Sequence, residues 1–303
     1  MKTGKALEIF VKNLLLNVGF SMVKSDGLFV FDGAPGQMIQ GLGGAHNADV
    51  LLEPPVQTPF YIPTRLLIEC KDYSKKAGLP TVRGVLGLRE DINNFEAIDR
   101  SELIARRRQN RNIVSAVGYR YSYQVAVICL NGYTTQAQLF AAVHRISLLD
   151  FRRLPFWNEL QQFLHDSHNT EEQIMAYANK IGDKTAVAVL PSGQLLFLYQ
   201  VLGNHIAFQD EYSLHWSSST EPWQLWSGEY CYAFHLPNEI MRLWLAGVSD
   251  DLDLKVSALN CKEKILSNMV VYYRKNGKPR IKMLSIDRGA LEEAKRRLEE
   301  SAR

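Results

Sequence analysis

The 303-residue chain has no apolar run approaching the roughly 18 to 20 residues that a membrane-spanning helix requires. Its opening, Met1 to Phe20, lacks the apolar block and small-residue cleavage site of a secretory signal. Cysteine is scarce: the four, at 70, 129, 231 and 261, have neither the CxxC nor the Cys/His spacing of a zinc site, and each lies in an apolar or strand-like context. Buried thiols in a reducing compartment are expected, in a protein that is soluble and cytoplasmic. Internal repeats and low-complexity segments are absent too, and a hydrophobic content of 46% excludes a disordered chain. That length accommodates one large domain or two ordinary ones.

What the chain does contain is a division of charge. Its formal net charge of +3 combines a basic start, an acidic middle and a basic end. Residues 1 to 154 hold 19 Lys/Arg against 13 Asp/Glu, residues 155 to 254 hold 3 against 13, and residues 255 to 303 hold 13 against 6. Basic ends around an acidic centre suit a polyanion held by the ends and not by the middle, and solvated charge with no partner is the alternative.

Periodicity predicts an amphipathic helix with Leu7, Phe10, Val11, Leu14 and Leu15 on one face, stopped by Gly19. A glycine-rich loop, Gly33 to Gly44, leads to a short strand, Ala48 to Leu52, and a second strand covers Arg65 to Lys71. A helix over about Thr81 to Phe95 follows, then the apolar strand Tyr123 to Leu130, a helix Thr134 to His144 and a strand Ile146 to Leu149. This order gives an α/β fold, a mixed sheet flanked by helices, over residues 1–153. Residues 154–303 read as a second α+β domain rich in short strands. It has helices near Pro155 to His168 and Glu171 to Ile181, a hairpin around Pro191-Ser192-Gly193, and a second hairpin around Asn276-Gly277. A charged helix, Arg288 to Glu300, follows. All five tryptophans fall in the acidic part of this second region.

Phosphodiester hydrolysis needs carboxylates that place Mg²⁺ against the phosphate and a cation or base for the attacking water. In Leu66-Leu67-Ile68-Glu69-Cys70-Lys71 the period of two puts Glu69 and Lys71 on one face. Asp49 becomes their partner if its strand pairs with this one. The triplet alone is weak, since chance supplies about one Glu-x-Lys in a chain of this size. Glu293-Ala294-Lys295 is another instance, but in a helix, where i and i+2 point to different sides.

The order helix-Glu8, Gly-rich loop, Ala48-Asp49-Val50, Ile68-Glu69-Cys70-Lys71 resembles the PD-(D/E)XK nuclease superfamily, and within it the Mrr-type restriction endonuclease-like domain. The stretch Ala126 to Asp150 looks like that family's closing strand, helix and strand, so the resemblance covers about half the chain. It implies an Mg²⁺-dependent endonuclease, with Mn²⁺ as a substitute, in which Asp49, Glu69 and the Cys70 backbone carbonyl bind the metal. Lys71 would orient the nucleophilic water, and Glu8 matches an additional acidic residue near the metal. It further implies action on DNA and a role in restriction or defence. Two departures stand out: Ala48 occupies a position where relatives often have glycine, and the helix after Lys71 carries Arg83, Arg89, Glu90 and Asp91 in place of a paired-glutamine signature.

Two basic segments are candidates for gripping a nucleic-acid backbone: Arg106, Arg107, Arg108 and Arg111, and the hairpin cations Arg274, Lys275 and Lys278. His46 and Asn47, just before Asp49, could touch substrate or make loop hydrogen bonds. The acidic, tryptophan-rich region suits a protein partner, a small-ligand sensor or a homodimer interface. A catalytically latent binding module and a nuclease acting on RNA stay open as alternatives.

Overall fold

The computed structural model describes residues 3–27, 29–34, 36–57, 62–98, 121–166, 168–216 and 222–301. The cations Arg106, Arg107, Arg108 and Arg111 lie outside the described residues.

The fold is mixed α/β. Helix α1, Thr3–Val18, buries Leu7, Phe10, Val11, Leu14 and Leu15 completely. It ends where Gly19 takes φ +121°, a conformation open to glycine and costly to other residues. Strands β1 (Ser21–Met22), β5 (Val50–Glu53), β6 (Thr64–Lys71), β7 (Ser122–Cys129) and β8 (Ser147–Leu149) form one sheet in the order β1-β5-β6-β7-β8. The pairing is antiparallel from β1 to β6 and parallel from β6 to β8. Helices α2 (Leu79–Ile98) and α3 (Thr135–Val143) cover one face, packing on Leu51, Leu67, Val125 and Val127. Helix α1 covers the other, against Val50, Leu52, Leu66, Ile68, Ala126 and Ile128.

The glycine-rich stretch expected as a loop contains strands. β2 (Val30–Gly33), β3 (Gly36–Gln40) and β4 (Ala45–Asn47) form a small antiparallel sheet, and Gly36, at φ +132°, permits the tight turn between the first two. The strand expected over Ala48 to Leu52 is β5, shifted to Val50–Glu53, because the Ala48 N–H bonds the Gln37 carbonyl of the small sheet.

The second half is built on a seven-stranded antiparallel sheet: β9 (Thr185–Val189), β10 (Leu195–Leu202), β11 (Ser213–His215), β12 (Trp223–Ser227), β13 (Tyr230–Phe234), β14 (Met269–Lys275) and β15 (Lys278–Leu284), in the order β11-β12-β13-β10-β9-β14-β15. Asn276 and Gly277 both have positive φ at the turn of the last hairpin, as an Asn-Gly turn requires. Alternation sends Val187, Leu195, Phe197 and Tyr272 to one side of this sheet and Ala186, Ala188, Leu196 and Leu198 to the other. The first set joins α1, the helices α4 (Trp157–His165) and α5 (Glu171–Gly182), and the inner face of the first sheet in one continuous core. Phe10 of α1 meets Phe151 and Tyr177 at about 6 Å, so α1 is shared by both halves. The second set closes against α6 (Asn238–Leu245) and α7 (Asp251–Cys261), and the final helix α8 (Arg288–Ser301) packs against α7. Among the described residues, no helix is long and apolar enough to cross a membrane. All four cysteines are free and buried.

Candidate active site

β5 and β6 pair with Val50 opposite Ile68, which sets Asp49 and Glu69 side by side where β5 begins and β6 ends. The Asp49 carboxylate accepts the Cys70 backbone N–H at 2.8 Å through Oδ2 and the Asn47 side-chain amide at 3.2 Å through Oδ1. Lys71 Nζ lies 2.5 Å from Glu69 Oε2, which is the consequence of their sharing one face of β6. Both are largely withdrawn from water, with Glu69 14% and Lys71 27% exposed. Burial works against the Lys71 ammonium, but its bond to Glu69, the charge of Glu69 and the charge of Asp49 outweigh that and raise its pKa. Lys71 is therefore a cation at neutral pH.

Glu8 arrives from α1, its Oε2 2.8 Å from Lys5 Nζ. Its proximity shows at Cys70: burial pushes the thiol pKa well up, and Asp49, Glu8 and Glu69 push it further. Lys5 is the residue that sequence reasoning passed over. Its bond to Glu8 raises its pKa against the opposing effect of burial, and the charges of Glu8, Glu171 and Asp49 add to that rise. On its own a lysine three residues before a glutamate looks like an ordinary helix-surface pair.

Asp49, Glu69 and Lys71 thus meet at one strand end, while Glu8 and Lys5 on α1 are close enough for their charges to be felt there. Among the described residues no group of three or more His, Cys, Asp and Glu side chains is close enough to form a ready-made metal cage. Glu69 is turned to Lys71 and Glu8 to Lys5. The oxygen donors are of the kind Mg²⁺ prefers, and since that ion keeps several waters, Asp49, Glu69 and the Cys70 carbonyl are the residues that could hold it.

The flanking residues hold the frame. His46 Nε2 lies 2.6 Å from Asp91 Oδ2, and Asp91 Oδ1 accepts the Gly43 N–H at 2.8 Å, which pins the β3–β4 turn to α2. A Cβ on Gly41 would fall 2.1 Å from Asp91 Oδ2, so only glycine permits this approach. The hydrogen bond from His46 holds the Asp91 carboxyl below the usual aspartate range against the opposing effect of burial, and the Gly43 N–H and the charge of His46 add to the lowering. Arg89 donates to the His144 carbonyl, and Arg83 sits over the Phe140 ring, so the residues standing in place of paired glutamines have structural tasks.

Arg274, Lys275 and Lys278 are exposed at the tip of the β14–β15 hairpin, without an acidic partner among the described residues, whereas Lys282 pairs with Asp210 at 2.6 Å. Near its tip, at Pro279 opposite Arg274, this hairpin meets the far end of α1, where a Cβ on Gly19 would lie 2.8 Å from Pro279 Cβ. From Glu8 to Gly19 is eleven residues, roughly 17 Å along the helix axis. The hairpin cations are thus not brought to the carboxylate cluster.

No family model matches the chain, and none of the curated proteins does. Among solved structures it is similar to one titled a protein of unknown function, AF1548, at 14% identity and a TM-score of 0.31, covering 59% of this chain and 97% of that one. Similarity at that level carries no argument about this chain.

Proposed function

We propose that the chain is an Mg²⁺-dependent endonuclease of the PD-(D/E)XK type that hydrolyses phosphodiester bonds in DNA. The observation that carries this reading is the convergence of Asp49, Glu69 and Lys71 at the end of β6, with Asp49 fixed by the Cys70 N–H. Buried charge is costly unless it is paired, and three charged groups at one strand end exceed what folding requires. Asp49 and Glu69, with the Cys70 carbonyl, would hold the metal, which when bound polarises the phosphoryl group and makes water acidic enough to attack at neutral pH.

The chain's own groups do the rest. Lys71, charged and tethered beside Glu69, is positioned to bind a phosphate oxygen and orient the water that attacks it. Asn47 and the Cys70 N–H fix both oxygens of Asp49, which limits its rotation and preorganises the site. Lys5 balances Glu8 and keeps the carboxylate cluster from repelling itself. The exposed hairpin cations at the far end of α1 would contact a flank of the substrate, not the scissile phosphate. A restriction or defence role rests on the family resemblance alone.

The test is incubation of the purified chain with supercoiled plasmid and Mg²⁺, alongside Asp49→Ala and Lys71→Ala. Cleavage by the native chain that falls by about 10²-fold or more in both variants supports the assignment, since a metal ligand or positioned cation contributes several kcal/mol. Equal cleavage by both variants rejects it. A panel of single-stranded and duplex DNA and RNA decides the substrate, because the metal chemistry is the same for both backbones.

A further inference from the structure

The shared core between the two sheets does not close at the starts of β6 and β7. A cavity of about 390 Å³ remains there, on the opposite face and at the opposite end of β6 from Glu69 and Lys71, roughly 16 Å away along the strand. Its inner wall is apolar and aromatic: Phe20 and Tyr272 meet edge to face at 5.7 Å. Its rim is polar. Gln124 continues the row Ala126, Ile128 that elsewhere fills the core, yet its amide has no hydrogen-bond partner among the described residues, and neither has that of Asn268. Both amides are free to donate and accept.

Arg145 supplies the one cationic side chain in this lining, and no carboxylate pairs with it among the described residues. Its backbone is informative. It follows α3 at φ +54°, with the Arg145 N–H bonded to the Ala142 carbonyl and the Ile146 N–H to the Ala141 carbonyl. That is the helix-ending pattern in which glycine is the favoured residue. An arginine here costs conformational strain and gains no ion pair, so its side chain at the cavity mouth is what the position provides.

We infer that this cavity binds a nucleoside monophosphate, or a planar anion of that size and chemistry, as a site separate from the carboxylate cluster. The volume is at the small end of ligand sites, roughly 300 to 1,000 Å³, which admits one nucleotide and excludes a duplex or a peptide strand. The Arg145 guanidinium matches the phosphate in bidentate geometry. Free Gln and Asn amides match the donor and acceptor edges of a base, and Tyr272 and Phe20 cover its ring. Since the cavity is walled by both sheets, occupation draws together the β6–β7 side and the β9–β14 side.

The inference goes beyond the proposed nuclease activity and is tested without it. Isothermal titration of the full chain in EDTA, with AMP, GMP, CMP and UMP in turn, should show one-to-one binding of at least one of them. Inorganic phosphate and the free nucleoside should each bind at least about tenfold more weakly, the effect of losing one well-made charged or edge contact. Arg145→Gly should weaken binding by a similar factor while leaving the melting temperature of the free protein unchanged or higher, because glycine relieves the φ; Arg145→Asn, which also tolerates that conformation, serves as the second variant. Lys71→Ala should bind as the native chain does. No binding of any monophosphate at millimolar concentration, native binding by both Arg145 variants, or inorganic phosphate binding as tightly as the nucleotide overturns the inference.

Discussion

Where β5 begins and β6 ends, the chain holds Asp49, Glu69 and Lys71 partly out of water, with Glu8 and the exposed Lys5 paired nearby on α1, and each of these charged groups has a polar partner. The β11–β12 edge of the second sheet, where it meets α6, reverses this arrangement. There Trp216, Trp223 and Trp244 pack with ring centroids 4.7 to 5.7 Å apart, and the Trp216 and Trp223 indole N–H groups are buried with no partner among the described residues. A stability-driven interior tolerates an idle donor as the cost of a large apolar ring, about 1 to 3 kcal/mol at most. The cluster at β6 does the opposite, retaining charge that an apolar strand end would not need. The contrast separates a core packed for the fold from a charged cluster on which the proposed function rests.

That comparison can be broken most decisively at the cores themselves. Phe10→Ala and Trp223→Ala should each destabilise the protein by about 3 to 5 kcal/mol, as large-to-small changes in packed interiors do. Because α1 belongs to both halves, calorimetry of each variant should show one displaced transition. Two separate transitions would mean that the halves fold independently despite their common core. Trp223→Phe sharpens the same point: it removes an unpartnered N–H along with part of the ring, and should cost much less than the alanine change.

A smaller effect is expected at the turn beside the site. The Asp91 carboxyl is held below its ordinary value, so its contribution is complete above about pH 4 and is lost as pH falls through the depressed folded value. Hydrogen exchange of the Gly43 N–H should show protection that persists at neutral pH and fades under acid, and Asp91→Asn should remove the pH dependence. Protection that is equally strong in Asp91→Asn would show that the turn is held by something else. Smallest of all is Lys5→Met. With Lys5 61% exposed, loss of its pair with Glu8 should change stability by no more than about 1 kcal/mol. Any larger fall in plasmid cleavage would assign Lys5 to the site and not to the helix surface.

Much of this organisation was readable from residues. The core face of α1, the two strands that became β5 and β6, the extent of α3 between Thr134 and His144, and the Asn276-Gly277 hairpin all announced themselves through periodicity or turn chemistry. β3 escaped because its flanking glycines advertise turns and its apolar part, Met38-Ile39, is only two residues long. Helices α6 and α7 went unread between the two groups of strands, and only the Asp250 side chain, capping the Asp253 N–H, marks a start there. At the site, Glu69 and Lys71 were local in sequence and therefore legible. The His46–Asp91 contact joins residues 45 apart, and no pattern in one chain reveals such a pair.

Gly19 marks the point where α1 reaches the second half of the molecule. A side chain there would meet two obstacles at once, the φ of +121° and the ring of Pro279. The end of α1 thus abuts the basic hairpin near its turn, with no room for a side chain between them. A load applied at the hairpin has no slack to take up before it reaches the helix whose other end carries Lys5 and Glu8.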